Sequence, residues 1–184
     1  MIARALGVSA ALALAFSAAS AEAALKKGDT APEFVAKGAQ AGKPITFDLK
    51  KALKKGPVVL YFFPAAFTEG CNIEAAAFAQ AIPEFKKQGA TVVGVTMGNT
   101  DRLIEFSSKH CAGQFPVAAA SAKIKAEYDV DLKKPDGTST GWTDRTTYVI
   151  GRNGKIVMAY SDFKPNEHIT NSLAALKAMK GKKA

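Results

Sequence analysis

Unbroken apolar runs alternate along this chain with stretches in which apolar residues return every three or four positions. Residues 56–63 (GPVVLYFF) and 90–97 (ATVVGVTM) are of the first kind. β-branched and aromatic side chains run there without polar alternation over lengths too short for a typical helix, which predicts strands covered on both faces. Pro64 ends the first of them, because proline offers no N–H to a neighbouring strand. From Cys71 onward the spacing is helical, with Ile73, Ala77, Ala81 and Phe85 four apart and Phe78 and Ile82 beside them. Pro83 removes a backbone donor and clashes with the preceding turn, so a kink is predicted there, or a restarted helix with Pro83 near its first turn. Gln88-Gly89 ends this segment.

The remaining pattern is read in the same way. Residues 25–34 form an irregular lead-in and residues 45–49 a short strand. Asn99 and Thr100 are candidate N-caps for a helix over 101–109, whose Leu103, Ile104 and Phe106 suit packing on a sheet. Residues 115–117 are extended, and 121–128 form another short helix. The stretch 131–144 is polar and rich in Lys, Gly, Thr and Ser, which predicts an exposed loop. Residues 146–150 and 156–160 flank Gly151-Arg152-Asn153-Gly154, a hairpin signal. Pro165 opens a last helix through Ile169, Leu173, Leu176 and Met179. Strands alternating with helices, closed by a hairpin, predict an α/β sandwich.

A chain of 184 residues, 48% of them hydrophobic, suffices for one domain with a proper core. Residues 1–23 are set apart. Arg4 gives a positive start, residues 6–16 an apolar centre, and Ala21-Glu22-Ala23 a small-x-small cleavage site, which together read as a signal peptide with the mature domain over 24–184. The apolar part is shorter than the ~20 residues that span a bilayer, and no cysteine follows it for a lipid anchor. A periplasmic or secreted protein without a stable membrane anchor is therefore expected. Removing the leader takes away one of 25 basic and one of 16 acidic residues, so the net charge stays at +9. The lysines are dispersed in pairs, such as Lys54-Lys55 and Lys86-Lys87, without interleaved aromatics. They read as solvated faces, not as a nucleic-acid surface.

The chemistry gathers where the first apolar run breaks. Pro64 is followed by Thr68 and then by Cys71, which falls in the first turn of the predicted helix. Unpaired N–H groups and the positive end of the helix dipole stabilise a thiolate there, and the thiolate is the nucleophilic form. Thr68, three residues earlier, is placed to face the thiol and to accept a bond from a helix-start N–H. Cys111 is the only other thiol, so Cys71–Cys111 is the only intramolecular pairing. His110 and His168 are the only histidines. Without Cys-x-x-Cys or His-x-x-x-His spacing they read as surface residues and not as metal ligands. No haem-attachment, Gly-x-Gly-x-x-Gly or Walker motif is present, so no cofactor is expected.

Pro-x-x-x-Thr-x-x-Cys after a buried strand, then Glu74, Arg145-Thr146-Thr147-Tyr148-Val149-Ile150 and the Asn153-Gly154 hairpin, together resemble the peroxiredoxins. The resemblance runs from about Lys26 to the last helix and is closest to the bacterioferritin-comigratory, or PrxQ-like, branch. It implies a thioredoxin-like fold, with the lead-in as the N-terminal arm. It also implies a thiol peroxidase acting on hydrogen peroxide or organic hydroperoxides. Cys71 would be the peroxidatic nucleophile, oxidised to a sulfenic acid. Thr68 would hydrogen-bond the peroxide, Pro64 would shape the pocket and keep water away, and Arg145 would stabilise the thiolate and polarise the O–O bond. Glu74, one turn after Cys71, would either position an arginine or complement the helix start.

In many members of the branch the resolving cysteine lies five positions after the peroxidatic one, where this chain has Ala76. Others carry it on the next helix, which Cys111 matches. Asn72 and Ala79 stand where the branch usually has threonine and arginine. The implied partners are a hydroperoxide and an external thiol reductant of thioredoxin or glutaredoxin type, with the chain a monomer or weak homodimer. Two other readings compete: an exported binding or structural domain whose Cys71–Cys111 bond is permanent, worth ~3–4 kcal/mol, and a thiol–disulfide oxidoreductase. A permanent bond would consume the nucleophile, and the missing Cys-x-x-Cys counts against the second.

Overall fold

Val58 to Phe62, the central apolar run, is buried on both faces. In the computed structural model, which describes residues 25–181, this strand lies inside a seven-stranded mixed sheet. The leader read in residues 1–23 lies outside the described residues. In chain order the elements are β1 (Val35–Gln40), β2 (Lys43–Asp48), α1 (Leu49–Lys55), β3 (Val58–Phe62), α2 (Glu69–Lys87) and β4 (Thr91–Thr96). A 3-10 turn (Thr100–Arg102) leads into α3 (Leu103–Lys109). Then come β5 (Val117–Ala119), α4 (Ala122–Glu127), β6 (Asp131–Lys133), β7 (Ser139–Thr143), β8 (Thr146–Ile150), β9 (Ile156–Ser161) and α5 (Asn166–Gly181). The large sheet is ordered β2-β1-β5-β4-β3-β8-β9. β3, β4 and β5 are parallel, and the other pairings are antiparallel.

Alternation along β3 divides two cores. Val59 and Tyr61, with Phe63 just beyond the strand, face Phe78 and Phe85 of α2, Phe106 of α3 and Leu176 of α5. Val58, Leu60 and Phe62 face Leu53 of α1, Ile124 of α4, Tyr128 and Tyr148. The α/β sandwich predicted from the sequence is thus present, with helices on both faces of the sheet.

Several local expectations need correction. No helix restarts at Pro83, because α2 runs through it from Glu69 to Lys87. Burying Phe78, Ile82 and Phe85 is worth roughly 1.5–3 kcal/mol each, which together exceeds the ~3 kcal/mol cost of a helix-interior proline. Residues 131–144 are not all loop. β6 and β7 form a separate two-stranded ribbon, closed by a turn in which the Asp136 carboxylate accepts from the Thr138 N–H at 2.9 Å. Exposed, polar strands carry no hydrophobic alternation, so the pattern could not reveal them. Neither Asn99 nor Thr100 caps a helix by its side chain. Asn99 is left-handed, with φ 53°, and its amide donates to the Ala66 carbonyl at 2.8 Å, while α3 begins at Leu103. The strand read at 45–49 is β2, ending at Asp48, whose carboxylate caps α1 by accepting from Lys51 N. The pattern had not indicated β1 or α1.

β4 fixes the segment that leaves β3. Thr96 Oγ1 donates to the Pro64 carbonyl at 2.9 Å, and Ala66 N donates to the Gly98 carbonyl at 3.1 Å. A Cβ on Gly98 would stand 2.4 Å from both Ala65 Cβ and the Pro64 oxygen. Gly98→Ala is therefore expected to cost about 1–3 kcal/mol through overpacking and to slow reaction at Cys71 by moving the Pro64 segment. Urea denaturation and thiol alkylation rates check this, and an unchanged midpoint would show that the contact is relieved without strain.

Candidate active site

The turn between β3 and α2 is held from several sides. Thr143, at the end of β7, donates its hydroxyl to the Phe63 carbonyl at 2.6 Å, tying the chain that leads to Arg145 to the chain that leads to Pro64. Pro64, Ala65 and Ala66 are buried. Phe67 adopts φ 66°, a left-handed conformation that costs a non-glycine residue roughly 1–2 kcal/mol. Its ring compensates by packing edge-on to Phe106 and His110, with the Arg102 guanidinium 3.7 Å over its face.

α2 then begins with Thr68 as its extended N-cap residue. The Thr68 hydroxyl makes no bond to the helix-start N–H groups, contrary to expectation. It donates to the Ala65 carbonyl at 3.0 Å, which leaves its lone pairs free. Cys71 lies in the first turn of α2 and is 1% exposed. Gly70 precedes it, and a Cβ at that position would stand 3.1 Å from Arg145 Nη2. The missing side chain keeps the approach to the guanidinium open.

Arg145 stands one residue before β8 and is 5% exposed. β8 pairs with β3, so the start of β8 lies beside the end of β3, where the chain turns towards Cys71. Arg145 Nη2 donates towards Cys71 Sγ at 3.6 Å, and Nη1 pairs with the Glu74 carboxylate. Glu74 is fully buried, with its carboxylate in contact with Arg145. Burial drives its carboxyl up to about 8, against the opposing pull of Arg145.

His168 corrects the surface reading of the histidines. It is 0% exposed, with Nδ1 2.8 Å from Thr147 Oγ1, Nε2 2.8 Å from the Asp162 carbonyl, and Nδ1 4.0 Å from Glu74 Oε1. Burial keeps its imidazole below the ordinary value. His110 is half-buried between Phe67 and Phe106, with its ionisation also lowered, chiefly by burial. Among the described residues no cluster of His, Cys, Asp or Glu could hold a metal ion.

Cys111 follows α3 by two residues and is fully buried, which pushes its thiol up. Both cysteines are free and belong to one apolar cluster with Tyr61, Phe63, Phe106 and Phe115. Tyr61 was not anticipated at the site. Its hydroxyl is buried without a partner, and burial raises its ionisation well above the ordinary value. Sequence periodicity placed Tyr61 and His168 in a strand and a helix, but it contains nothing about what those elements meet across the sheet.

A buried thiol at a helix start thus has a guanidinium beside it. Residues 27–159 match the AhpC/TSA family. The chain is 35% identical over 157 residues to the chloroplastic peroxiredoxin Q of Sedum lineare, covering 84% of this chain and 79% of that protein. The crystal structure of peroxidoxin BcpB from Mycobacterium tuberculosis superposes with a TM-score of 0.72 at 31% identity, covering 84% of this chain and 98% of the other. A bacterioferritin comigratory protein from Xanthomonas campestris, studied for its alkyl peroxide reduction, gives 0.66 at 28% identity over 78% and 90% of the two chains. The chain belongs to the AhpC/TSA family, as a peroxiredoxin of the peroxiredoxin Q and bacterioferritin-comigratory type with the thioredoxin-like fold. It is a thiol-dependent peroxidase.

Glu74 gives the fold a measurable pH dependence. Its carboxyl is raised from 4.5 in the unfolded reference to about 8. The native state therefore holds more protons than the unfolded chain between those values, so this contribution is complete at low pH and is lost as pH rises through about 8. Urea midpoints should fall with rising pH across this window, and Glu74→Gln should flatten the slope. A variant with the parent's slope would exclude Glu74 as its source.

Proposed function

We propose that Cys71 is the nucleophile towards peroxide oxygen in this peroxidase and that Arg145, Thr68, Pro64 and Glu74 form its pocket. The observation that best supports this is the 3.6 Å approach of Arg145 Nη2 to Cys71 Sγ at the start of α2. The Cys71 thiolate attacks the terminal oxygen of hydrogen peroxide or an organic hydroperoxide. The O–O bond breaks, the leaving oxygen takes its electron pair and a proton, and Cys71 becomes a sulfenic acid. Arg145 acts where negative charge moves from sulfur to the leaving oxygen. Thr68, with free lone pairs, accepts the peroxide O–H, and buried Pro64 shapes the wall and excludes water. Glu74 fixes the guanidinium.

Cys111 is the resolving residue in this reading. Its thiol condenses with the sulfenic acid to a disulfide and water, and an external thiol protein of thioredoxin or glutaredoxin type reduces the bond. A disulfide needs Cα atoms within about 7 Å. Cys71 in a first helical turn and Cys111 just past a helix end share one buried apolar cluster, so the helix ends must unwind locally to bring them within this range. Residues 1–23 then direct export, and the enzyme works in the periplasm or outside the cell as a monomer or weak homodimer.

Cys71→Ser should abolish peroxide consumption, because a hydroxyl is far less acidic and nucleophilic than a thiol. Arg145→Ala should slow Cys71 oxidation by roughly 100-fold or more, the usual range for removing one donor aimed at developing charge. Stopped-flow fluorescence with excess peroxide reads both. Wild-type turnover in Cys71→Ser would refute the assignment.

Oxidised wild type should be a monomer with a Cys71–Cys111 bond, whereas Cys111→Ser should accumulate sulfenic or sulfinic acid at Cys71 and turn over poorly with a dithiol protein. Non-reducing peptide mass mapping decides this. Cys71–Cys71 dimers alone, or undiminished turnover without Cys111, would leave a one-cysteine enzyme.

A further inference from the structure

Cys71, Arg145, Glu74 and His168 form one buried chain, with exposures of 1%, 5%, 0% and 0%. It contains one permanent cation. If Cys71 and Glu74 were both ionised, two anions would share that cation in an apolar core, and an uncompensated buried charge costs several kcal/mol. The thiolate and the carboxylate therefore compete for Arg145.

The surroundings of Glu74 provide for the alternative, in which it is protonated. One carboxylate oxygen pairs with Arg145, while Oε1 is buried with no partner. Oε1 stands 4.0 Å from His168 Nδ1. The other ring nitrogen, Nε2, lies 2.8 Å from the Asp162 carbonyl, which can only accept, so Nε2 carries the hydrogen. In a neutral ring Nδ1 is then a lone pair. A carboxylate oxygen facing a lone pair is unfavourable, but a protonated Oε1 facing it makes a hydrogen bond once the gap closes to about 2.8 Å. The Thr147 hydroxyl, 2.8 Å from the same nitrogen, is a rotor that can turn its proton aside.

Resting on the reading of Cys71 as the peroxidatic residue, we propose that Glu74 and His168 form a proton acceptor coupled to Cys71. When Cys71 ionises above about pH 8, where Glu74 is otherwise a carboxylate, Glu74 Oε1 takes up a proton and donates it to His168 Nδ1, which leaves the charge of Arg145 to the thiolate. One S–H bond is lost and one O–H bond is formed, so the buried charge is unchanged. When peroxide consumes the thiolate, sulfur is oxidised by two electrons, the O–O bond is reduced, and the proton from Glu74 balances the leaving hydroxide or alkoxide as water or alcohol. His168 is a positioning residue in this scheme.

The carboxyl of Glu74, raised by burial to about 8, already holds its proton at neutral pH and competes with the thiolate only above that value. The other groups facing the pair are few. Tyr61 reaches in from β3 and stays neutral, because burial raises it well above its ordinary value. Arg145 comes from the start of β8. Tyr160 of β9 packs edge-on to His168 with ring centroids 4.9 Å apart, and Asp162 and Glu167 act on the imidazole from the ends of β9 and α5.

The test uses the full chain with Cys111→Ser, so that only Cys71 responds to iodoacetamide. Glu74→Gln keeps a carbonyl for Arg145 and offers an N–H to His168. At pH 9, where the parent's Glu74 is ionised, it should alkylate up to about tenfold faster than the parent, the rate gained when the thiol ionises about one pH unit lower, whereas near pH 6, where Glu74 already holds its proton, the two should match. His168→Phe removes the acceptor, so that at pH 9 Glu74 stays ionised on Arg145, and it should alkylate up to about tenfold more slowly than the parent at that pH. His168→Gln, which has both acceptor and donor, should recover the parent rate. Near-ultraviolet circular dichroism checks that each variant is folded. A purely structural role for Glu74 and His168 would slow both variants or neither, so opposite changes support the coupling. Changes in the same direction, or Glu74→Gln at the parent rate at pH 9, overturn it. If Cys71 of the parent chain fails to consume peroxide, the proposed function falls with it, and that failure is visible separately from the alkylation rates.

Discussion

Burial of the Arg145 guanidinium is the constraint on which the rest of this structure depends. A cation cannot leave water without a partner, and here the partners come from one face of α2, where Cys71 and Glu74 lie a turn apart. Arg145 precedes β8, β8 pairs with β3, and β3 leads through Pro64 into α2. The Glu74–Arg145 contact and the strand order are therefore a single arrangement. The site is stable only when sheet, α2 and α5 are all docked.

The turn between Pro64 and Cys71 is where this arrangement demands the most from the backbone. Phe67 is left-handed, and Gly98 must lack a side chain for β4 to approach Ala65. Thr96, Asn99 and Thr143 each contribute one hydrogen bond to a carbonyl of residues 63–66. No single bond of this kind is worth more than about 1 kcal/mol net. Acting within four consecutive residues, they hold Thr68 and Cys71 to one geometry, which a loop tethered only at its ends would not keep.

Membership of the AhpC/TSA family sets the reaction class, while the thiol and the guanidinium meet through the pairing of β8 with β3. It says less about the groups behind them. Ala76 stands where many peroxiredoxins of this type have a second cysteine, which leaves Cys111 as the remaining candidate, buried in the same apolar cluster as Cys71. The unpartnered Tyr61 hydroxyl and the buried His168 belong to this second layer. Both are polar groups held in an apolar core on the side of the sheet where Cys71 lies.

Much of the fold was legible in the chain because its signals are local. The apolar runs at β3 and β4, the turn chemistry between β8 and β9, and the helical spacing of α2 and α5 are set by neighbours a few residues away. So is the position of Cys71 in a first helical turn. Elements whose stability comes from partners, such as the alanine-rich β1, the lysine-rich α1 and the polar ribbon of β6 and β7, carry little periodicity and went unread. Pro83 was read as a break because local cost was weighed without the buried Phe78 and Phe85 that outweigh it. The Glu74–Arg145 pair joins residues 71 positions apart, and His168 meets Glu74 from a helix far along the chain. Single residues of common type carry no mark of such meetings. By itself the sequence determined which segments are strands or helices where hydrophobic spacing is strong, and where a nucleophilic sulfur would sit. Only the tertiary structure decided which charges share that sulfur's surroundings, because electrostatic partnership depends on distance in space and on the exclusion of water, and neither is written in the order of residues.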